Sequence, residues 1–469
     1  MKTIITIIAS CLFATLFYNQ NIGLNLSIFS ILTIFILGIS LPDKLKLRDN
    51  LMHISIYVLT AILVFINHSS LSIIANCAVF FTLVGSFSED KSSTYVKWLN
   101  GIYSSIAGVF HRNFEKEHHE GKVAKRKKID VIHTLKITLI PLVVVIIYTI
   151  LYKDGNPVFD SIVSAINFDF INFQWILFFL LGYYLFSNII VPVQVQPATD
   201  ADLSIGNELY SHEPLNAIQL KKEKQLGIIL LGMLNVLIIL FIISDISYLI
   251  SNTNFAASVL SNQVHNGINT LIASILFAII IILYFFRGNL NFLDQNKTLK
   301  NLSYAWIFLN AMLVFLIIIK NSQYVNAFGL TYKRIGVYVY LFMTMVGLIT
   351  TFLKVFKIQN LWFLFRKNVQ GAFMLLVISS MVNWDYVITD YNIKNADSLD
   401  INYLIDLSNN NAFILFERKD SMVLKPHQDQ RIVTKYNTYV ELLSRKNWQE
   451  LSYDNFKLNN KQSYYESTK

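Results

Sequence analysis

The stretch NSQYVNAFGLTYKRIGVYVY, residues 321–340, decides how this chain is read. It begins polar, carries Arg334, and runs directly into an apolar segment. Gly329, Thr331 and Tyr332 give it a turn, since glycine reaches backbone conformations closed to other residues and threonine favours turns. Tyr324, Phe328, Tyr332 and Arg334 crowd into a few positions. That density marks an ordered cap at a membrane surface rather than a loose loop.

Outward from this cap, the chain is a series of apolar runs. A membrane-spanning helix needs about 20 mainly apolar residues. On that ruler there are eleven candidates, at approximately 3–18, 23–41, 51–66, 71–87, 131–152, 173–193, 225–243, 268–286, 301–319, 335–353 and 370–384. The third, fourth and last are short. Hydrophobic residues make up 54% of the chain and charged residues 15%, against about 25% charged in a soluble domain. The expected fold is all-α: a polytopic transmembrane helical bundle of about eleven spans, with a small, mostly helical C-terminal extramembrane domain. Cys11 and Cys77 both lie inside apolar runs, which gives no disulfide framework and no cysteine metal site. Lys2 and the run after it resemble a signal peptide, but the run passes Cys11 and reaches Phe17, so it reads as an uncleaved first span.

Loop charge orients the bundle. With the N-terminus inside, one set of loops collects Lys44, Lys46 and Arg48; the basic residues of 88–130; Lys221, Lys222 and Lys224; Arg287, Lys297 and Lys300; and Lys354, Lys357, Arg366 and Lys367. The other set holds only Lys153, Lys320, Lys333 and Arg334. Basic residues favour the cytoplasmic side, so the expected topology has a cytoplasmic N-terminus and an extracytoplasmic C-terminus in a bacterial inner (cytoplasmic) membrane. The same placement accounts for the net charge of +9 without nucleic acid as a partner. Four regions follow: N-terminal transmembrane helices (1–87), a basic cytoplasmic loop with an amphipathic helix near Tyr95 to Phe110 (88–130), a transmembrane core (131–384) and a near-neutral extracytoplasmic tail (385–469). In the tail, Leu399, Leu404, Ile405 and Leu407 are expected on the packed side of a helix.

The loop 88–130 carries two further signals. Lys122 to Lys128, in KVAKRKK, is placed to meet anionic lipid headgroups of the bilayer. His111, Glu115, His118, His119 and Glu120 share helical spacing but lack a zinc pattern such as HExxH, so a solvated face is expected and no metal. The chain has no P-loop, no Rossmann glycine pattern, no GxSxG and no visible internal repeat. Nothing marks an enzyme, and no cofactor is implied.

The second half resembles a family. SDISYLI at 244–250, VHNGINTLIASILFAIIIILYFFRGNLNF at 264–292, NAFGLTYKRIGVYVY at 326–340, NWDYVITDYNI at 383–393 and LDINYLIDLS at 399–408 resemble the uncharacterised bacterial multi-pass membrane proteins grouped as a domain of unknown function, the 4153/4173 group. The resemblance covers roughly residues 225–410, and the first two hundred residues match only in hydropathy. It implies a bacterial inner-membrane protein and no established activity.

The charge-derived topology sends the polar residues of these motifs to one outer face. Asp245 and Tyr248 end the seventh span, and His265 and Asn266 begin the eighth. Asn321, Tyr324, Thr331 and Arg334 lie in the cap, and Asn383, Asp385, Tyr391 and Asn392 follow the last span. An acid, a histidine, an arginine and tyrosines together can form a ligand or proton-handling site. The same residue types also serve as interface anchors and as a structural network. Arg334 cannot lose its proton, so it is expected partly buried against a carboxylate, Asp245 or Asp385. Two functions stay open: a membrane scaffold or sensor whose tail meets an envelope protein partner, and a transporter or channel-like protein with the cluster as its mouth.

Overall fold

The computed structural model describes residues 2–119, 141, 144–145, 147–149, 151–165, 172–211, 217–251, 257–293 and 296–458. Among the described residues the protein is helical, with no strand and a single isolated bridge between Glu208 and Gln359. The helices are α1 (Lys2–Phe17), α2 (Leu24–Ser40), α3 (Pro42–Leu45), α4 (Arg48–Asn67), α5 (Ser70–Ser88), α6 (Thr94–His119), α7 (Pro157–Ala165), α8 (Phe173–Ile189), α9 (Gln196–Ser204), α10 (Ala217–Ser251), α11 (Ala257–Phe285), α12 (Lys297–Phe328), α13 (Tyr332–Phe356), α14 (Leu361–Ser380), α15 (Trp384–Asn395), α16 (Ile401–Asp406), α17 (Ala412–Glu417) and α18 (Pro426–Ser444).

Six of the described helices are long and apolar enough to cross a membrane: α4, α5, most of α10, α12, α13 and α14. The apolar helices α1, α2, α8 and the Thr270–Phe285 part of α11 are shorter. Each overlaps one of the expected spans, although α14, Leu361–Ser380, begins well before the expected 370–384 and ends short of it. The fifth expected span, 131–152, falls largely outside the described residues, as do Lys122 to Lys128. Large apolar side chains on these helices face outward, among them Met233, Val236, Leu237 and Leu240 on α10. An apolar surface of this extent belongs in contact with lipid.

The helices pack around two cores. The first joins α1, α2, α4, α5 and α8 through Ala9, Phe29, Ile36, Tyr57, Leu83 and Phe186, and takes Phe373 and Val377 from α14. The second joins α10 to α13 through Leu231, Ile275, Ile282, Val314 and Leu348. Helix α14 packs on α13 as well as on α4, α5 and α6, and so ties the halves together. Helix α6 is longer than the expected amphipathic segment and is built into the bundle against α5 and α8. Glycine permits this. A Cβ at Gly101 would sit 1.9 Å from the Phe81 carbonyl oxygen, and one at Gly85 would sit 1.8 Å from that of Lys97. Small residues let two backbones approach where lipid supplies no hydrophobic drive between helices.

At the end of the bundle carrying the N-terminus, a second latch joins the halves. Asp202 on α9 is buried and accepts from the Ser93 amide (2.7 Å), the Ser93 hydroxyl (2.9 Å) and the Tyr95 phenol (2.7 Å). Arg366 of α14 donates to the same carboxylate at 3.0 Å and to the carbonyls of Asp202 (2.6 Å) and Ile205 (2.8 Å). Burial alone would raise the Asp202 carboxyl, but these donors and the Arg366 charge outweigh it and hold the group below its ordinary value. Beside it, Asn360 reaches the backbone of 206–208 with its amide groups.

Candidate functional site

The stretch 321–340 folds as two helix ends joined by a tight corner. Helix α12 runs on through Asn321 to Phe328, and Gly329 follows with φ +77°, a conformation that favours glycine. Thr331 then caps α13, its hydroxyl accepting from the Arg334 amide at 3.3 Å. No other residue fits at 329: a Cβ there would lie 2.6 Å from the Asn392 side chain. Asn392, on α15, fills that space and holds the Leu330 peptide from both sides, accepting at 2.5 Å and donating at 2.9 Å.

Arg334 takes a different partner from the one expected. Its guanidinium donates to the carbonyls of Phe328 (2.8 Å) and Gly329 and stacks over the Tyr324 ring with its centre 4.0 Å from the centroid. It pairs with neither Asp245 nor Asp385. The physical reason is that α12 ends here with unpaired carbonyls and the negative end of its dipole, which attract a cation as a carboxylate would. The aromatic face supplies the rest. Asp245 instead pairs at 2.5 Å with Lys320, because α10, which carries it, packs on α12. Asn321 is buried and donates to the Arg334 carbonyl at 3.2 Å.

Asp385 is buried between the body and the tail. One carboxylate oxygen accepts from the Tyr332 phenol at 2.6 Å, and the other accepts from the Ser408 hydroxyl. Asn383 caps α15 through the Tyr386 amide at 3.1 Å, and the Tyr391 phenol donates to Asn326 at 2.9 Å. The Tyr332 amide donates to the Tyr403 phenol oxygen at 3.0 Å. Under these bonds lies an apolar layer of Ile335, Ile388, Leu404, Ile405, Leu415 and Ile432, with Leu399 and Leu407 packed against it. The four tail residues singled out in the sequence are packed as expected, but only Leu404 and Ile405 lie on a helix, α16; Leu399 precedes it and Leu407 follows it in extended backbone.

Of the twelve expected site residues, Asn321, Tyr324, Thr331, Arg334, Asn383, Asp385, Tyr391 and Asn392 meet in one network, and Asp245 lies on α10 beside α12. The side chains of Tyr248, His265 and Asn266, on α10 and α11, lie outside the described residues, as do those of Glu115, His118 and His119; Glu120 lies outside them altogether. His111 meets the Tyr103 phenol at 3.1 Å. No group of three or more His, Cys, Asp or Glu is placed to hold a metal among the described residues. The reading from sequence missed Tyr332, Tyr403 and Ser408. Tyr332 stood inside the quoted stretch, whereas nothing in sequence spacing links 385 to 408.

The tail reaches further than this corner. The Leu24 amide donates to the Leu451 carbonyl at 2.9 Å, Glu450 accepts from the Asn21 amide at 2.7 Å, and Phe456 meets Phe65. His68 follows α4 at φ +42°, and its Nδ1 is buried with no hydrogen-bond partner. Burial, then nearby Lys446, pulls its ring down to about 4, against Asp454. The tail thus lies across the α1–α2, α4–α5 and α12–α13 corners, all at one end of the bundle.

The family model described as "Domain of unknown function (DUF4153)" matches residues 4–415. The chain belongs to that family. The DUF4153 match includes the first two hundred residues, where the resemblance seen in the sequence rested on hydropathy, and it ends within α17, so α18 lies beyond it. No curated protein and no solved structure matches the chain.

Proposed function

We propose that this protein is an integral inner-membrane scaffold or sensor that presents residues 385–469 as a small extracytoplasmic domain to an envelope protein partner. The observation that carries this reading is how the outer polar residues are used. Asp385, Asn392, Tyr391 and Arg334 hold the tail and the α12–α13 corner together. The orientation, with a cytoplasmic N-terminus and eleven spans, rests on loop charge. It is supported by the tail lying at the end of the bundle opposite Lys2, as an odd number of spans requires.

Two measurements test the proposal. In liposomes holding the purified protein, ion and solute flux should not exceed that of protein-free liposomes. In intact cells, a photo-cross-linker at the exposed Val423 should give a discrete adduct with an envelope component. Flux that disappears on Asp385→Asn would instead assign the outer network to a permeation path. A cytoplasm-only reporter fused after Lys469 should be inactive, and activity there would reverse the orientation.

A further inference from the structure

The end of the bundle opposite the tail carries a groove of about 420 Å³ between α1, α6 and α8. Its lining divides by chemistry. Lys2, Thr3 and Arg112 make one part cationic and hydrogen-bonding, while Phe110 and Ile190 make the other apolar. The charge is unbalanced. Arg112 donates to the carbonyls of Ser187 (2.6 Å), Asn188 (3.1 Å) and Val191 (2.5 Å), so its positive charge meets only neutral partners. Lys2 is exposed, and its ammonium has no protein partner among the described residues. Among the described residues no carboxylate lines the groove. Tyr183 is exposed beside it, with Phe110 open on the same side.

We propose that this groove binds one anionic phospholipid, with the headgroup phosphate between Lys2 and Arg112 and the upper acyl chain along Phe110 and Ile190. A phosphate answers two cations that no carboxylate among the described residues neutralises. An acyl chain answers the apolar ring of Phe110, which is otherwise left open beside the buried Ile190. A zwitterionic lipid carries its own ammonium into the cationic end and forfeits the first of these gains. That the lipid comes from the cytoplasmic leaflet rests on the orientation proposed above; the binding itself does not.

The test is native mass spectrometry of the delipidated, full-length protein in detergent, which is independent of orientation. Phosphatidylglycerol, phosphatidylcholine and inorganic phosphate serve as probes. One phosphatidylglycerol should remain bound where phosphatidylcholine does not. Lys2→Gln should weaken that binding about fivefold, the usual effect of one basic residue near an anionic surface. Thr3→Trp, at an exposed position, should fill the groove and remove the bound lipid while the unfolding temperature stays that of the parent protein. Equal retention of the two lipids, or phosphatidylglycerol affinity unchanged in both variants, would overturn the proposal. Displacement of the lipid by millimolar inorganic phosphate would also overturn it, assigning a soluble-anion site instead.

Discussion

The two ends of the bundle solve one problem with different chemistry. At the N-terminal end, cations from neighbouring helices finish the helices that stop there. Lys44 donates to Phe87 and Ser88 at the end of α5, Arg112 closes α8, Lys354 reaches Phe286 after α11, and Arg366 closes α9. At the tail end, amides, phenols and hydroxyls prevail, with Arg334 as the cation at the end of α12. The comparison explains both the rule and its exception. Basic residues gathered at the N-terminal end meet orphan carbonyls there. Arg334 stands at the other end because α12 ends there with the same need. Lys435 repeats the device in the tail, donating to Ile405 (2.9 Å) and Leu407 (2.7 Å). Burial pulls its ammonium down to about 8, against Asp385 and Asp406.

The contrast can be broken first at the charged end. Asp202→Asn leaves Arg366 half-satisfied beside a buried amide. It should cost about 3–5 kcal/mol, seen as a large fall in the detergent unfolding midpoint. A double-mutant cycle with Arg366→Gln should return most of that as coupling. Additive losses would mean that the two side chains do not act as a pair.

At the tail end the largest effect belongs to Gly329. Gly329→Ala forces a strained backbone and pushes on Asn392, for about 2–3 kcal/mol. Limited proteolysis should then cut first near 326–335 and 392–400. A wild-type digestion pattern would contradict the corner as described.

Acid comes next. The His68 ring titrates near 4 with the tail docked and near its ordinary 6.5 when released. Its folded value is depressed, so the released state binds more protons, and stability falls as pH drops from 6.5 towards 4. Docking of 446–458 should be fully favourable above pH 6.5 and weaken by up to about 2 kcal/mol near pH 4. Hydrogen exchange in that segment would report it. His68→Gln should flatten the dependence, and an identical pH profile in the variant would place the titration elsewhere.

The smallest effect is Arg334→Lys. Lysine keeps the charge but loses the planar stack on Tyr324 and one of the two carbonyl bonds, for about 1–2 kcal/mol. No change in unfolding midpoint would mean that charge alone closes α12.

How much of this was legible in the sequence depends on the distance over which each feature is specified. The apolar helices were legible because a long apolar run has few alternatives to a span. Their lengths were less so: α12 continues past the apolar run through Asn321 to Phe328, and α10 reaches Ser251, because polar residues extend a helix once its middle is anchored. The corner at Gly329 was legible because only glycine suits it. Partners were not. Asp245 meets Lys320 instead of Arg334 because α10 packs on α12, and no pattern in either helix specifies that neighbour. Asp202 was not singled out in the sequence, because its donors come from residues 93, 95 and 366.

The polar network at the tail end as a structural joint is tested most directly by hydrogen exchange on Asp385→Ala in lipid nanodiscs. Asp385 holds Tyr332 on the body and Ser408 in the tail. Exchange should therefore rise together in 328–335 and 399–411, while α4 and α5 stay protected. Unchanged exchange in both segments would contradict a joint and return the buried carboxylate to the role of a ligand or proton site.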